Sequence, residues 1–183
     1  MSDFFTKTDL SRKDAESIIS ETLNNCDDGE LYLENSKSES IVLDDDKIKS
    51  SSYSSDLGYG LRAVTGEVVA YSHSNEISKK SLKQSASNLS STLKSQKGIY
   101  NHEIPQTNEK FYKDVNPIEE KSLQSKLDLL KEVNNYTRAK GGIVRQVTAS
   151  FAGEHKSIEI IRSGGEVLTD VRPLIRFNVS VML

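Results

Sequence analysis

The stretch Lys47–Ser74, KIKSSSYSSDLGYGLRAVTGEVVAYSHS, decides the fold, because it is the longest run consistent with a single kind of structure. Apolar and β-favouring residues recur through Ile48, Tyr53, Leu57, Leu61, Ala63 and Val64, and again through Val68, Val69, Ala70 and Tyr71. That pattern, rich in β-branched and aromatic types, predicts a β-hairpin in a half-buried antiparallel sheet. Its turn is expected at Thr65-Gly66, since glycine accepts a positive φ at little cost. A rival reading exists, because Gly58-Tyr59-Gly60-Leu61-Arg62-Ala63 matches the G-x-G-x-x-G/A dinucleotide fingerprint. The fingerprint works only where its last small residue opens a helix whose amides receive the pyrophosphate. Here Val64, Thr65 and Gly66 follow, and then another β-rich run, so the nucleotide reading is set aside. Gly58 and Gly60 are instead expected to relieve a bend or bulge before Arg62, with Gly66 in the turn.

Working outward, 183 residues can form one ordinary domain, or one small domain and part of another. A hydrophobic fraction of 35%, 28% charged residues and a mean hydropathy of −0.53 indicate much solvated surface. The net charge of −3 supplies no field to attract phosphate backbones or anionic membranes, so nucleic acid is not expected as a partner. Basic pairs such as Lys79-Lys80 read as a solvated helix face. One cysteine, Cys26, fits a reducing compartment, and its place on the apolar face of the first helix makes it a buried small hydrophobe rather than a nucleophile. No apolar run approaches 18 residues and no secretory pattern opens the chain, which predicts a soluble, cytoplasmic protein that does not engage a membrane.

Residues 1–10 read as a leader that Phe4, Phe5 and Leu10 can pin to the surface. A first helix starts at Ser11, with Asp14 as capping partner and Ala15, Ile18, Ile19, Leu23 and Cys26 on one face; Asp27-Asp28-Gly29 stops it. Leu31 and Leu33, then Ile41 and Leu43, alternate as two strands or one long bent one. Asp44-Asp45-Asp46 is read as an acidic turn, because calcium loops place their ligands at alternate positions around a central glycine. A second helix is capped by Ser78 or Ser74 and keeps Leu82, Ala86, Leu89 and Leu93 on a narrow face. The expected fold class is α+β, an antiparallel sheet with two helices on one face over residues 11–96, followed by a helix and the start of a second, β-rich domain. Residues 97–115 lack periodicity and read as a linker; residues 116–183 hold the incomplete second domain. There Asn116 is expected to cap a helix with Leu123, Leu127, Leu130, Val133 and Thr137 on its apolar face, closed by Gly141-Gly142. Strands then follow over 143–151, 157–162 and 166–183, with turns at Gly153 and Ser163-Gly164-Gly165. The chain ends in an alternating apolar strand, which predicts that the domain continues beyond it.

Chemistry is harder to find. His73, His102 and His155 lie far apart in sequence, whereas zinc sites ordinarily show a close ligand pair; Glu154-His155 has no partner histidine. No G-x-S-x-G elbow or phosphate loop is present, and nothing selects a carboxylate pair. No catalytic or metal-binding residue is therefore assigned. Arg62 and Arg172 are candidates to orient a carboxylate or peptide terminus, with an ion pair or a stem packed on the sheet as the alternative.

Two stretches carry a more specific signal. Asp56-Leu57-Gly58-Tyr59-Gly60-Leu61-Arg62-Ala63-Val64-Thr65-Gly66-Glu67, continuing through Ala70-Tyr71-Ser72 to Ile77-Ser78, resembles the N-terminal domain of the TldD/PmbA family. Thr169-Asp170-Val171-Arg172-Pro173-Leu174-Ile175-Arg176, with Val179-Ser180-Val181, resembles the same family at the matching distance. Arg62-Ala63-Val64 and Asp170-Val171-Arg172-Pro173 are closer to the TldD subunit than to the PmbA (TldE) subunit. The resemblance spans about residues 11–183. It implies a zinc-dependent cytoplasmic peptidase that works with a PmbA/TldE-like subunit, or by self-association, on unfolded peptides. The family's H-E-x-x-x-H helix and further cysteine ligand match no position here, so zinc is expected for the full-length family member and not for this chain, which is expected to be inactive alone. A stand-alone binding or regulatory module is the alternative.

Overall fold

The computed structural model describes residues 4–93 and 111–183. Its elements are α1 (Arg12–Leu23), β1 (Asp28–Asp44), β2 (Lys47–Thr65), β3 (Val68–Ser74), α2 (Lys79–Leu93), α3 (Leu123–Arg138), β4 (Gln146–Arg162) and β5 (Val167–Met182). The strands form one five-stranded antiparallel sheet in the order β3-β2-β1-β4-β5. The α+β class read from the sequence is the one observed. The chain divides into two compact units, the first of Met1–Asn35, Asp56–Phe111 and Ser157–Val171, the second of Ser36–Ser55, Tyr112–Lys156 and Arg172–Leu183.

Unit 1 is built on a period of two. In β2, Tyr59, Leu61, Ala63 and Thr65 are buried, while Arg62 and Val64 between them are half-buried. Leu31 and Leu33 of β1 and Ala70 of β3 complete the buried sheet face, against which α1 supplies Ala15, Ile18, Ile19 and Leu23 and α2 supplies Leu82, Ala86, Leu89 and Leu93. Both helices start where a serine offers an acceptor: Ser11 Oγ receives the Asp14 N–H at 3.1 Å, and Ser78 Oγ receives the Ser81 N–H at 3.1 Å. Cys26 is buried as expected, but just beyond the helix, where its N–H donates to the Leu23 carbonyl. Phe4 and Leu10 join the same core. The hairpin register runs from Tyr59↔Ser74 to Thr65↔Val68 without interruption. Its two-residue turn is therefore Gly66-Glu67, one position later than expected, with Gly66 at φ 58°.

Unit 2 departs further from the sequence reading. Of the two readings open for Leu31 to Leu43, two strands or one long one, the single strand β1 is observed, because residues 35–40 are half-buried and stay in the ladder. The acidic turn is present, with Asp45 and Asp46 both at positive φ (46° and 64°), the primed geometry that matches strand twist. Gly153 is not a turn: β4 passes straight through it, and an added Cβ would lie 3.1 Å from Ile118 and 3.3 Å from Ile175. The glycine thus serves a close approach, not a reversal. Asn116 caps only an isolated turn, its side chain accepting from Ile118 N–H at 3.0 Å. The helix itself begins after Ser122, whose Oγ accepts from Ser125 N–H, and it ends on Ala139 in right-handed conformation, ahead of Gly141. Lys126, Leu130 and Asn134 of α3 are buried, Leu127 and Val133 are partly buried against the same cluster, and Leu123, in the first turn, is 49% exposed. Leu130 packs with Ile41, Leu43, Ala149 and Phe151. Lys126 can be buried because Glu39 pairs with it and the Ile118 carbonyl accepts from it at 2.6 Å. The strand expected from residue 143 starts at Gln146, and Ile143 is exposed. Leu174, Phe177, Val179 and Val181 of β5 are exposed on the edge strand. The linker expected at 97–115 falls mainly on residues 94–110, outside the described residues.

If the period of two is what places the core, Leu61→Ala destabilises the protein by about 2–5 kcal/mol, because a fully buried leucine leaves a cavity. Ile48→Ala, at a 53% exposed position of the same strand, changes stability by no more than about 0.5 kcal/mol in a urea titration.

Candidate functional site

The sheet face of unit 1 opposite the core carries its polar chemistry. Asp28 at the start of β1 stands between two guanidinium groups, Arg62 at 3.0 Å and Arg162 at 2.9 Å, with Glu30 at 3.8 Å from Arg62. Burial pushes the Asp28 carboxyl up, but the hydrogen bonds from Arg162 and then Arg62 outweigh it and hold its pKa below the ordinary carboxylate value. The neighbouring Asp27 carboxylate accepts the Gly66 N–H, and the Asp27 N–H donates to the Val64 carbonyl at 2.8 Å. The junction of α1 and β1 is thereby tied to the turn of the hairpin.

Beside this cluster lies an open groove of about 300 Å³, lined by Tyr32 and Glu34 of β1, by the Asp56–Gly60 segment of β2, and by Tyr71, His73, Ser74 and Asn75 at the end of β3. The two glycines shape it through what they lack. A Cβ on Gly60 would stand 2.6 Å from the Tyr71 hydroxyl, so the tyrosine ring lies across the strand there. A Cβ on Gly58 would stand 2.8 Å from the Ser74 carbonyl oxygen, so the chain leaving β3 passes close over β2. Neither glycine has a positive φ, and the ladder from Tyr59 onward is unbroken. At both positions the missing Cβ permits a close approach. The Tyr71 and His73 rings are stacked at 5.8 Å between centroids, and Tyr32 donates its hydroxyl proton to Glu34 at 2.6 Å.

The remaining candidates lie apart from the groove. Arg62 is on the same sheet face but engaged with Asp28 and Glu30, while Arg172 is exposed on β5 in unit 2. His155 is buried in unit 2 with Asp114 at 3.7 Å, and His102 lies outside the described residues. Among the described residues no three histidine, cysteine or acidic side chains converge to hold a metal ion. The donors present do not fit a zinc centre: Cys26 is buried among apolar side chains, and His73 is stacked on Tyr71. In unit 2, Asp44 accepts from Gln146 and Thr148, each at 2.8 Å, and these bonds, Gln146 first, lower its pKa. That acidic turn serves architecture. Sequence reasoning did not single out Tyr32, Glu34 or Asn75; it met Asp56 and Tyr71 only within the hairpin and the family-like stretch, and His73 only as a histidine without a ligand partner. The available signal was that Tyr71 and His73, two apart on one strand, must share a face with Arg62 and the glycines.

No helix among the described residues is long and apolar enough to cross a membrane. A sheet with two helices on one face and an aromatic groove on the other defines an α+β module. Comparison with known proteins specifies it further. Residues 29–92 match the model of PmbA/TldA metallopeptidase domain 1, and residues 116–183 match that of the PmbA/TldA metallopeptidase central domain. The chain is 35% identical over 158 residues to the metalloprotease TldD homolog of Buchnera aphidicola subsp. Acyrthosiphon pisum, covering 86% of this chain and 33% of that protein. It is 32% identical over 165 residues to the Haemophilus influenzae metalloprotease TldD homolog, covering 87% and 34%. In fold it is similar to a Bacteroides thetaiotaomicron protein described as a candidate modulator of DNA gyrase (TM-score 0.70, 16% identity, 93% and 40% covered). It is also similar to TldE from Thermococcus kodakarensis (TM-score 0.57, 13% identity, 92% and 42% covered). The chain belongs to the TldD/PmbA metallopeptidase family and spans about a third of the length of the relatives it matches.

Two outcomes follow from this geometry. Folding depresses the Asp28 pKa, so its stabilisation is fully present above the unfolded-state pKa and is lost as pH falls through the lower folded-state value. Asp28→Asn therefore costs about 1 kcal/mol at neutral pH, given that Arg62 is 39% exposed, and flattens the acid limb of a stability–pH curve. Gly58→Ala, which meets the backbone oxygen of Ser74, lowers the melting temperature more than Gly60→Ala, which meets the movable end of Tyr71.

Proposed function

We propose that this chain supplies the N-terminal, non-catalytic portion of a TldD-like zinc metallopeptidase that cleaves unfolded peptides in the cytoplasm. Its work there is scaffolding, peptide positioning and subunit assembly, with a PmbA/TldE-like protein or a second copy as partner. The observation that carries this reading is the order of the two family-model matches, first domain at 29–92 and central domain at 116–183. Zinc, and the peptide hydrolysis it supports, are therefore assigned to residues other than these. On this reading Arg172, exposed on the edge strand β5, contacts the partner or the peptide, whereas Arg62 orders the sheet face through Asp28.

The purified chain is expected to form a complex with a PmbA/TldE-type subunit, or a homodimer, by light scattering. It is expected to hold no stoichiometric zinc by elemental analysis and to leave unfolded peptides intact. Stoichiometric zinc with peptide turnover overturns the non-catalytic assignment, and a chain that remains monomeric with either partner overturns the assembly role.

A further inference from the structure

We propose that residues 4–10 form a strap that governs the docking of α2, so that this helix leaves the sheet of unit 1 only when the N-terminal segment lets go. The strap is anchored at both ends, since Phe4 and Leu10 are buried in the core that α1 and α2 share with the sheet. Between the anchors, Thr8 fixes the chain: its hydroxyl donates to the Leu10 carbonyl at 3.0 Å and accepts from the Leu10 N–H at 3.2 Å. Asp9 is thereby presented to α2, where its Oδ1 accepts the N–H of Lys79, the first residue of the helix, at 3.0 Å. The opening N–H groups of a helix have no partner within it, so a carboxylate 70 positions away meets a need that the helix cannot meet itself. A second tie runs back from the helix. Lys79 Nζ donates to Asp14 Oδ1 at 2.8 Å, in the first turn of α1, and Asp14 Oδ2 accepts from Ser11, the residue that caps α1. Both helices thus begin beside the same two carboxylates, which offset the positive ends of their dipoles. Toward the sheet, Arg12 lies over the Phe5 ring, 5.5 Å from its centroid, and pairs with the buried Glu159 of β4 at 2.8 Å.

The composition of α2 makes it dependent on such a fastening. Six of its fifteen residues are serine or threonine, Ser81, Ser85, Ser87, Ser90, Ser91 and Thr92, types with weak helix propensity. Ser90, Ser91 and Thr92 donate back to the carbonyls of Ala86 and Asn88, which weakens the last turns slightly. The helix has no acidic residue of its own in its first turn and no basic one in its last. Its apolar face of Leu82, Ala86, Leu89 and Leu93 packs on the sheet only once the chain has been ordered into a helix, and this composition resists that ordering. The hydrogen bonds joining Tyr59 Oη to Ser81 and Ser85, at 2.8 and 2.9 Å, lie in the first two turns. Polar ties therefore hold α2 at its start, next to the strap, and an element with so little stability of its own is one that opens locally.

The test is native-state hydrogen exchange of the full chain. Amides of α2 are expected to be less protected than those of residues 59–65 in β2, which marks α2 as a unit that opens without global unfolding. Asp9→Ala is expected to speed exchange in α2 about fivefold, the effect of losing one cap, and Asp9→Asn, which keeps an acceptor, to restore the wild-type rate. Phe4→Ala, which removes the far anchor, is expected to speed exchange in α2 by at least about tenfold. Asp9 is exposed, so the Asp9 variants decide the matter even if Phe4→Ala prevents folding. Protection of α2 equal to that of β2, exchange in α2 unaltered by Asp9→Ala, or an Asp9→Asn variant as fast as Asp9→Ala overturns the proposal. None of these outcomes depends on zinc, cleavage or a partner subunit, so the strap can fail while the peptidase reading stands, and the reverse.

Discussion

A β-strand has only two faces, and in unit 1 one of them is closed by helices. Leu31, Leu33, Leu61, Ala63 and Ala70 are buried with α1 and α2, so every intervening residue must face the other way. Glu30, Tyr32, Glu34, Gly60, Arg62, Tyr71 and His73 share a surface for that reason. A slip of one residue would exchange the two sets and send arginine and glutamate into the core. The register is protected where it is most vulnerable, at the hairpin turn, by Gly66 at positive φ and by the Asp27 carboxylate that accepts its N–H.

The charges on that open face are not scattered. Asp28 joins Arg62 and Arg162, and so links β1 with β2 and β4 by side chains on the side away from the core. Both guanidinium groups thereby reach one carboxylate, and an aromatic groove lies beside the cluster. Unit 2 resolves the same problem differently: the buried ammonium of Lys126 is matched by Glu39 and by a backbone carbonyl, beneath an exposed outer edge.

Much of this was legible in the residues. The serines before α1 and α2, the four-three-four spacing of Leu82, Ala86, Leu89 and Leu93, and the β-rich run around Gly66 each state one structure locally. Misreadings arose where a local signal had two physical uses. Asn116-Pro117 caps a turn as well as it caps a helix, and Ser122 supplied the true start of α3. Gly153 looked like a reversal, but its missing Cβ makes room for Ile118, a contact between residues 35 positions apart that no local pattern reveals. The same holds for the site. An ion pair was one of the uses open to Arg62, but its partner Asp28 lies 34 residues earlier, and the groove draws on three strands whose adjacency only the sheet order discloses.

The most direct test of the two-faced sheet is thiol labelling of single cysteines placed at Ala63, Glu34 and His73 in a Cys26→Ser background. Cysteines at 34 and 73 are predicted to react at rates near those of an unfolded peptide, and the cysteine at 63 only as fast as the protein opens. Comparable rates at 63 and 73, or protection at 34 and 73 with reaction at 63, would contradict the register on which the core, the charge cluster and the groove all depend.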